Sequence, residues 1–299
     1  MERNLKNTCF HSLDIIDFVI SLGPFDHDIF ILFVLISAIL SVFTCLGNTM
    51  VLLAYLKSSI LRKKLSSIFV INLAVTDWLV GVIVHPLLMI FFVQTINDDS
   101  SCFLPSLLAV VIPILMMVSL FSVVGATAER FLAVVYPIYH RTELTKTRLR
   151  VFVLCSWAYA TSWISILFLS EENAKIYVTL NCVLPIIMTL FVVILWVYIF
   201  IIIKGHAVVG NTCRGQKKTA LEQRQKSERK TAKTFLVSTL SLYVSYTPLL
   251  IALFTSFKDP LHMICFLEIM LLTSVINPVI YGLGNVHVRN IMRKELLCG

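Results

Sequence analysis

Ionisable residues inside apolar stretches are the clearest candidates for chemistry in this chain. Asp77 interrupts the apolar segment between Lys64 and Asp98, and the pair Glu129-Arg130 closes the next one. An ionisable group at the centre of a bilayer costs about 2.5 to 3.5 kcal/mol on insertion scales, so it is a functional candidate by default.

Asp77 has potential partners on other apolar segments. Asn48, Ser119, Ser274 and Asn277 are polar residues in mid-segment positions. If they converge on Asp77, their oxygen atoms would suit a monovalent cation or a proton. A hydrogen-bond network that joins helices without an ion is the alternative, and the sequence leaves both open.

The elements that must position these residues are membrane-spanning helices. Hydrophobic residues make up 58% of the 299-residue chain and charged residues 14%, which indicates that lipid is its main solvent. A helix needs roughly 20 apolar residues to cross a bilayer, and seven windows have that length. We number these predicted spans 1 to 7: Asp28–Lys57, Lys64–Asp98, Asp99–Glu129, Arg150–Glu171, Lys175–Lys204, Lys233–Lys258 and Asp259–Arg289.

The distribution of Lys and Arg predicts the orientation. One side of the predicted bundle carries 20 of these residues and the other side 4. Because positive loops stay in the cytoplasm, we expect a multi-pass plasma-membrane protein with its N-terminus outside. The net charge of +8 then lies on the cytoplasmic face, where anionic membrane lipids account for it without nucleic acid.

The predicted fold class is an all-α membrane protein, a seven-transmembrane helix bundle with a short amphipathic C-terminal helix. We expect an extracellular tail over residues 1–28, the bundle over 29–284, and an amphipathic juxtamembrane helix and tail over 285–299. Cys298, near the end of the chain, is either a palmitoylated or an ordinary exposed cysteine.

Known catalytic and metal-binding patterns are absent from the sequence. The eight cysteines include no CxxC pair and the seven histidines no HExxH motif, so we predict no enzymatic activity. One extracellular disulfide is plausible, and its pairing stays open among Cys9, Cys102, Cys182 and Cys265.

The chain carries a series of short motifs in order: GNTMV at 47–51, LAVTD at 73–77, AERFLAVVYP at 128–137, Trp157, Pro248 and NPVIY at 277–281. Together they resemble those of rhodopsin-like (class A) G-protein-coupled receptors, and the resemblance spans all seven helices. The resemblance implies that an extracellular ligand activates a heterotrimeric G protein through a movement of span 6. It also implies arrestin as a further partner.

The resemblance assigns roles to individual residues. Asp77, Ser119 and Asn277 would line an allosteric sodium pocket, the one cofactor expected, with Asn48 and Ser274 nearby. Arg130 would be held by neighbouring Glu129 or by Glu228 at the inner end of helix six, just before span 6. The alternative is that Glu228 is a solvated member of a mixed charge run. The other switch positions are Tyr198, Tyr246 in place of the customary tryptophan, Pro248, Asn277, Pro278 and Tyr281. Pro185 and Tyr198 do not fit the family's spacing together, which leaves the register of span 5 open.

The resemblance places the ligand in the outer half of the bundle. The position of the amine-binding aspartate is Ile112 and that of the retinal-linking lysine is Leu271, which argues against a biogenic amine and a photopigment. An apolar lining favours a lipid or other apolar ligand. The alternative is that these side chains only pack against one another in the bundle. The ligand class stays open to another small molecule or a peptide. Glu268 could meet a cationic group or lie at the headgroups. The expected lining is Leu88, Ile112, Met116, Leu249, Leu253, Leu267, Glu268 and Leu271.

The resemblance departs from the family's usual disulfide between helix three and the outer loop. Cys102 lies about one helical turn too far from Arg130, and the short outer loop around Glu171 has no partner cysteine. The absence of this bridge and the short loop loosely resemble the melanocortin, cannabinoid and adenosine receptors. The alternative is an ion or proton transporter centred on Asp77. An odd number of spans without a visible internal repeat argues against such a transporter.

Overall fold

The computed structural model describes residues 27–97, 103–168, 171–212, 234, 236–248, 251 and 260–298. These described residues contain helices in all seven predicted spans and no β-strand, which confirms the all-α fold class. Among them, five helices are long and apolar enough to cross a membrane: His27–Lys57, Ser67–Ile96, Phe103–Val135, Val183–Ile202 and Ile264–Gly284.

The helix bounds define what each span contains. Span 1 is the helix His27–Lys57 and span 3 the helix Phe103–Val135. Span 2 consists of Ser67–Leu79, a π-helical turn Val80–Val84, and His85–Ile96. The remaining elements are Ser59–Lys63 and Pro137–Thr142 in loops, Lys146–Thr161 and the 3-10 segment Ser162–Phe168 in span 4, Glu171–Thr212 in span 5, 236–248 in span 6, Pro260–Leu271 and Thr273–Gly284 in span 7, and the C-terminal helix Val286–Cys298.

Helices satisfy their own backbone groups, which is why a chain in lipid folds this way. Their outer faces carry large apolar side chains such as Leu32 and Phe43, each more than half exposed. Such a surface would be an aggregation hazard in water, whereas in a bilayer it meets lipid. The bundle interior therefore collects the polar residues as well as the tightly packed apolar ones.

Two apolar clusters pack the interior. We call the half of the bundle that contains Arg130 the inner half and the opposite half the outer half. Phe69, Val51 and Tyr281 are buried in the inner cluster. The outer cluster is built from buried residues that include Phe30, Phe92, Leu88 and Leu271. Tyr246 on span 6 packs against both clusters, so it lies at their junction.

The C-terminal helix lies against the inner end of the bundle. Val288 is fully buried, and Met292 packs against the inner cluster. An ion pair of 2.7 Å joins Lys57 Nζ to Glu295 Oε2. Because both groups are partly exposed, this pair contributes at most about 1 kcal/mol, so the apolar face of the helix does most of the anchoring.

Candidate functional site

Asp77 lies in the middle of span 2 and accepts hydrogen bonds from two side chains of span 7. Ser274 Oγ donates to Asp77 Oδ1 at 2.8 Å, and Asn277 Nδ2 donates to Asp77 Oδ2 at 2.8 Å. Asn48 of span 1 donates to the backbone carbonyl of Ser274 at 3.0 Å. All four residues are buried, so a single network joins spans 1, 2 and 7 around one carboxyl group.

A small cavity lies beside this carboxyl group. Its polar wall includes Asp77 and Ser119, and the hydroxyl of Ser119 donates to Thr76 Oγ1 at 3.0 Å. The cavity measures about 20 Å³. About 10–15 Å³ suffices for one water molecule, whereas pockets for drug-sized ligands measure about 300–1,000 Å³. In this conformation the cavity can therefore accept a water molecule or a small ion, and not a whole ligand.

Some of the predicted ligand positions line the same cavity. Ile112, Met116 and Leu271 form part of its apolar wall, together with Tyr246. These three predicted ligand positions thus line the same cavity as Asp77, Ser119, Ser274 and Asn277 of the predicted sodium site. Leu88 is instead buried in the outer cluster, Leu267 packs against that cluster, and Leu249 and Leu253 lie outside the described residues.

A chain of hydrogen bonds continues from Asn277 toward the inner half. Asn277 Oδ1 accepts a hydrogen bond from Ser238 Oγ of span 6 at 2.9 Å, and Ser238 Oγ lies 3.5 Å from the Tyr281 hydroxyl. We call Asp77, Asn277, Ser238 and Tyr281 the polar relay. Ser238 belongs to none of the motifs noted in the sequence. It stands out there only as a serine within an apolar span.

Pro278 of span 7 packs closely against span 1 because Gly47, the residue at the contact, has no side chain. A Cβ atom added to Gly47 would lie 3.0 Å from Cγ of Pro278, closer than ordinary van der Waals contact. The two motifs at 47–51 and 277–281 therefore pack directly against each other. This contact sets how closely span 7 can approach span 1 next to the polar relay.

Arg130 is held by its neighbour at the inner end of span 3. Its Nε and Nη2 atoms donate to Glu129 Oε2 and Oε1, each at 2.6 Å. His140, on the short loop helix, places Nε2 2.7 Å from the same Oε1. Glu129 is buried, and a buried carboxylate is tolerated when paired and hydrogen-bonded. Sequence reasoning missed His140, which only the path of the loop brings back to span 3.

The other predicted switch residues have diverse surroundings. Tyr198 is half exposed and stacks edge-on against Phe131, with ring centroids 5.8 Å apart. Pro248 lies half-buried in the span 6 helix. Glu228, Cys9 and Cys102 lie outside the described residues, as do the side chains of Cys182 and Cys298. Cys265 is half-buried against the outer cluster.

Trp157 has a structural partner that the sequence did not suggest. Its Nε1 donates to Asn72 Oδ1 at 2.9 Å, and Asn72 Nδ2 donates to Ser122 Oγ at 2.7 Å. These bonds tie spans 2, 3 and 4 together between the Asp77 network and Arg130. They fix the faces that spans 2 and 3 present to the site.

Comparison with known proteins gives one family match and several distant relatives. A family model described as 7 transmembrane receptor (rhodopsin family) matches residues 47–281. Cannabinoid receptor type 1B of Takifugu rubripes is 25% identical over 86% of this chain and 61% of its own length. Trace amine-associated receptor 8b of Rattus norvegicus is 27% identical over 87% of this chain and 84% of its own. Melanocortin receptor 5 of Rattus norvegicus is 23% identical, over 87% and 82%.

Proposed function

Because the chain belongs to the rhodopsin family of seven-transmembrane receptors, we propose that it converts binding of an extracellular ligand into activation of a heterotrimeric G protein. The predicted seven-helix bundle and multi-pass membrane location are those of the family. We propose that the N-terminus faces outward at the plasma membrane, where an antibody to an N-terminal epitope would bind intact cells. Arrestin belongs to the same proposal, and the family favours a receptor over a transporter.

The observation that carries the mechanism is the 2.9 Å hydrogen bond between Ser238 and Asn277. It connects span 6 to the residue that also donates to Asp77. A change of charge or occupancy at Asp77 would alter both bonds of the Asn277 amide. Span 6 would then exchange one set of contacts for another, and the ligand would act by favouring one of two states.

We propose that the Glu129, Arg130 and His140 cluster holds the resting state. Both oxygens of Glu129 bind Arg130, and one also binds His140. Release of the guanidinium would free it for the G protein, while span 6 moves outward. A second tie from Arg130 to Glu228 is part of the same proposal, since it would join span 6 to span 3 directly.

Replacing His140 by alanine is expected to raise basal nucleotide exchange. A hydrogen bond to a charged group contributes about 1.5 kcal/mol or more, and about 1.4 kcal/mol shifts an equilibrium tenfold. Nucleotide exchange should be measured in membranes that contain equal amounts of receptor. Thr142→Ala on the same loop helix is the control, because Thr142 is exposed and donates only to its own helix at Ile138. Unchanged basal exchange in His140→Ala would contradict the proposed latch.

A sodium ion beside Asp77 is the one cofactor that we propose. The Asp77 carboxylate and the hydroxyl oxygens of Ser119 and Ser274 line the cavity and are oxygen donors of the kind that hard cations take. Asn277 turns its amide nitrogen toward Asp77, so its role would be to hold the carboxylate. When bound, the ion would supply positive charge that stabilises the resting arrangement of the polar relay.

Asp77→Asn is expected to remove the effect of sodium. At ten times its dissociation constant, a ligand that binds only the folded state stabilises it by about 1.4 kcal/mol. Thermal unfolding of the purified receptor in NaCl and in choline chloride measures this difference, which the variant should lose. Stabilisation by sodium that persists in Asp77→Asn would exclude this site. Sodium flux into liposomes that disappears in the same variant would favour the transporter.

For the ligand, we propose an apolar or lipid-like molecule that enters the outer half of the bundle. Ile112 and Leu271 line the cavity, so neither the amine-binding aspartate nor the retinal-linking lysine is available there. The named relatives include cannabinoid, trace amine and melanocortin receptors, which do not decide among ligand classes. A panel of lipids, amines and peptides, tested for nucleotide exchange on several G proteins, checks this proposal. A response to amines alone would refute it.

A further inference from the structure

A second set of buried polar side chains lies in the outer half, away from Asp77. Ser37 Oγ of span 1 donates to Glu268 Oε1 of span 7 at 2.6 Å. Ser37 and His85 are fully buried, and Glu268 is 7% exposed. Among the described residues, neither ring nitrogen of His85 has a hydrogen-bond partner, and neither has the second oxygen of Glu268.

The packing of spans 1 and 2 places these residues at one level. Ser41 Oγ donates to the carbonyl of Gly81 at 2.8 Å. A Cβ atom on Gly81 would lie 3.2 Å from the backbone nitrogen of Cys45, so the two helices touch through their backbones. The spans run in opposite directions. Ser37 is therefore one turn outward of Ser41, as His85 is of Gly81.

The apolar surroundings raise the free-energy cost of an unpaired charge at this site. Val84 and Leu88, on either side of His85 in the sequence, are buried in the outer cluster with Phe33. A carboxylate with one hydroxyl donor and an imidazole with none are both poorly compensated in such an environment. His85 and the second oxygen of Glu268 make no hydrogen bond to each other, so a proton on the Glu268 carboxyl, with His85 neutral, is the arrangement that brings the net charge of the two groups to zero.

We propose that Ser37, His85 and Glu268 form a proton-binding site between spans 1, 2 and 7. The proton comes from the aqueous phase and forms an O–H bond on the Glu268 carboxyl, at the level of the His85 imidazole. Ser37 keeps the carboxyl in position through its hydrogen bond. The site is separate from the sodium site proposed at Asp77.

Few other titratable groups face this site. On span 1, Cys45 lies two turns inward of Ser37, and His27 and Asp28 lie at the outer end. On span 2, Asp77 lies two turns inward of His85. On span 7, Cys265 is one turn outward of Glu268, and His262 beyond it is exposed. The described part of span 3 contributes apolar residues to the outer cluster, such as Leu104 and Leu108. At this level, Glu268 and His85 are the one carboxyl and the one imidazole among the described residues.

Binding or release of a proton at this site would change the relative positions of spans 1, 2 and 7. The site touches three spans, and its net charge changes by one when the proton leaves. If the chain is a receptor as proposed, the two signalling states would differ in proton affinity, and outside pH would shift their populations. The ligand or modulator that this site would recognise is the proton itself.

Infrared difference spectroscopy on the full chain in lipid nanodiscs tests the proton site without a G protein. Between about pH 5 and 8, where histidine titrates, we expect the carbonyl band of a protonated carboxylic acid to change with pH. Glu268→Gln should abolish this band. His85→Gln should move its titration midpoint by about one pH unit or more, the effect of a nearby ionisable group. His262→Gln is the matched control, because His262 is exposed at the outer end of span 7, and it should leave the band unchanged.

Two results would overturn the proposal. One is the absence of any pH-dependent band that Glu268→Gln removes, and the other is a Glu268 band whose midpoint His85→Gln does not move. If Glu268→Gln does not fold, Ser37→Ala replaces it. This variant keeps the carboxyl but removes its donor, so an unchanged band frequency would equally overturn the assignment. Since the spectra need no signalling partner, their outcome is independent of the proposed receptor function. Loss of pH-dependent nucleotide exchange in His85→Gln would then link the two.

Discussion

Replacing Arg130 by alanine is expected to abolish nucleotide exchange on the G protein while leaving the receptor at the cell surface. The guanidinium is buried and makes two 2.6 Å bonds to Glu129. It is the cation that would leave this latch for the G protein. A contribution of about 3 kcal/mol to the activated complex corresponds to a loss of about a hundredfold in rate. Glu129 keeps its contact with His140 in the variant, so the fold should survive.

The experiment can be made independent of ligand identity. A Glu129→Gln background, in which the residue that holds Arg130 is neutral, is expected to raise basal exchange and leaves no unpaired buried carboxylate. It provides a signal that Arg130→Ala should remove. Arg148→Ala is the matched control, because Arg148 is an exposed arginine that bonds to Glu143 in the loop. Surface density is measured in parallel with an epitope at the N-terminus. Exchange that persists in the double variant at equal density would show that Arg130 is not required.

Replacing Gly125 by alanine is expected to destabilise the bundle next to the site. An added Cβ would come within 2.6 Å of Cζ of the Phe69 ring and 3.0 Å of the Phe152 ring. Phe69 is buried in the inner cluster, so it has little room to move. Overpacking of this kind costs about 1 to 3 kcal/mol. A lower temperature of thermal unfolding, measured on the purified protein in detergent, would report the loss.

Gly282→Ala is the matched control for this steric effect. There the added Cβ would meet only the end of the flexible Met292 side chain, at 3.3 Å from its sulfur atom. The two variants differ in what must move, since one displaces a buried ring and the other a thioether. Equal unfolding temperatures for both variants would show that spans 2 and 3 are less tightly packed than the structure indicates.

The sequence identified residues that meet in the structure where a polar side chain lies deep within an apolar span. Asp77, Ser274 and Asn277 stand out as polar residues within apolar spans, and in the structure Ser274 and Asn277 each donate a hydrogen bond of 2.8 Å to Asp77. Glu129 was likewise one of two carboxylates considered for Arg130, and it accepts hydrogen bonds from Nε and Nη2 of Arg130. The other carboxylate, Glu228, lies outside the described residues. In each case the cost of burying a polar group identified the residue.

Sequence reasoning failed where the direction of a side chain around its helix decides the contact. Ser119 lines the expected cavity beside Asp77, yet its hydroxyl donates to Thr76 and not to the Asp77 carboxylate. Glu268 was considered for a ligand or for the headgroups, yet it turns inward to Ser37. Ser238 and His140 were not singled out, because helix rotation and loop path depend on packing between distant segments. No local pattern in a single sequence records that packing.

The π-helical turn at Val80–Val84 has an evolutionary consequence. Its defining bond runs from the His85 amide to the Val80 carbonyl, five residues back, so the turn holds about one residue more than an α-helical turn. One residue corresponds to about 100° of rotation. Asp77 keeps its direction, while His85 and Leu88 point elsewhere than in a regular helix. A relative that lacked one residue here would keep the direction of Asp77 but turn His85 and Leu88 by about 100°. Under the proposed function, one deletion would then alter ligand preference without altering signalling.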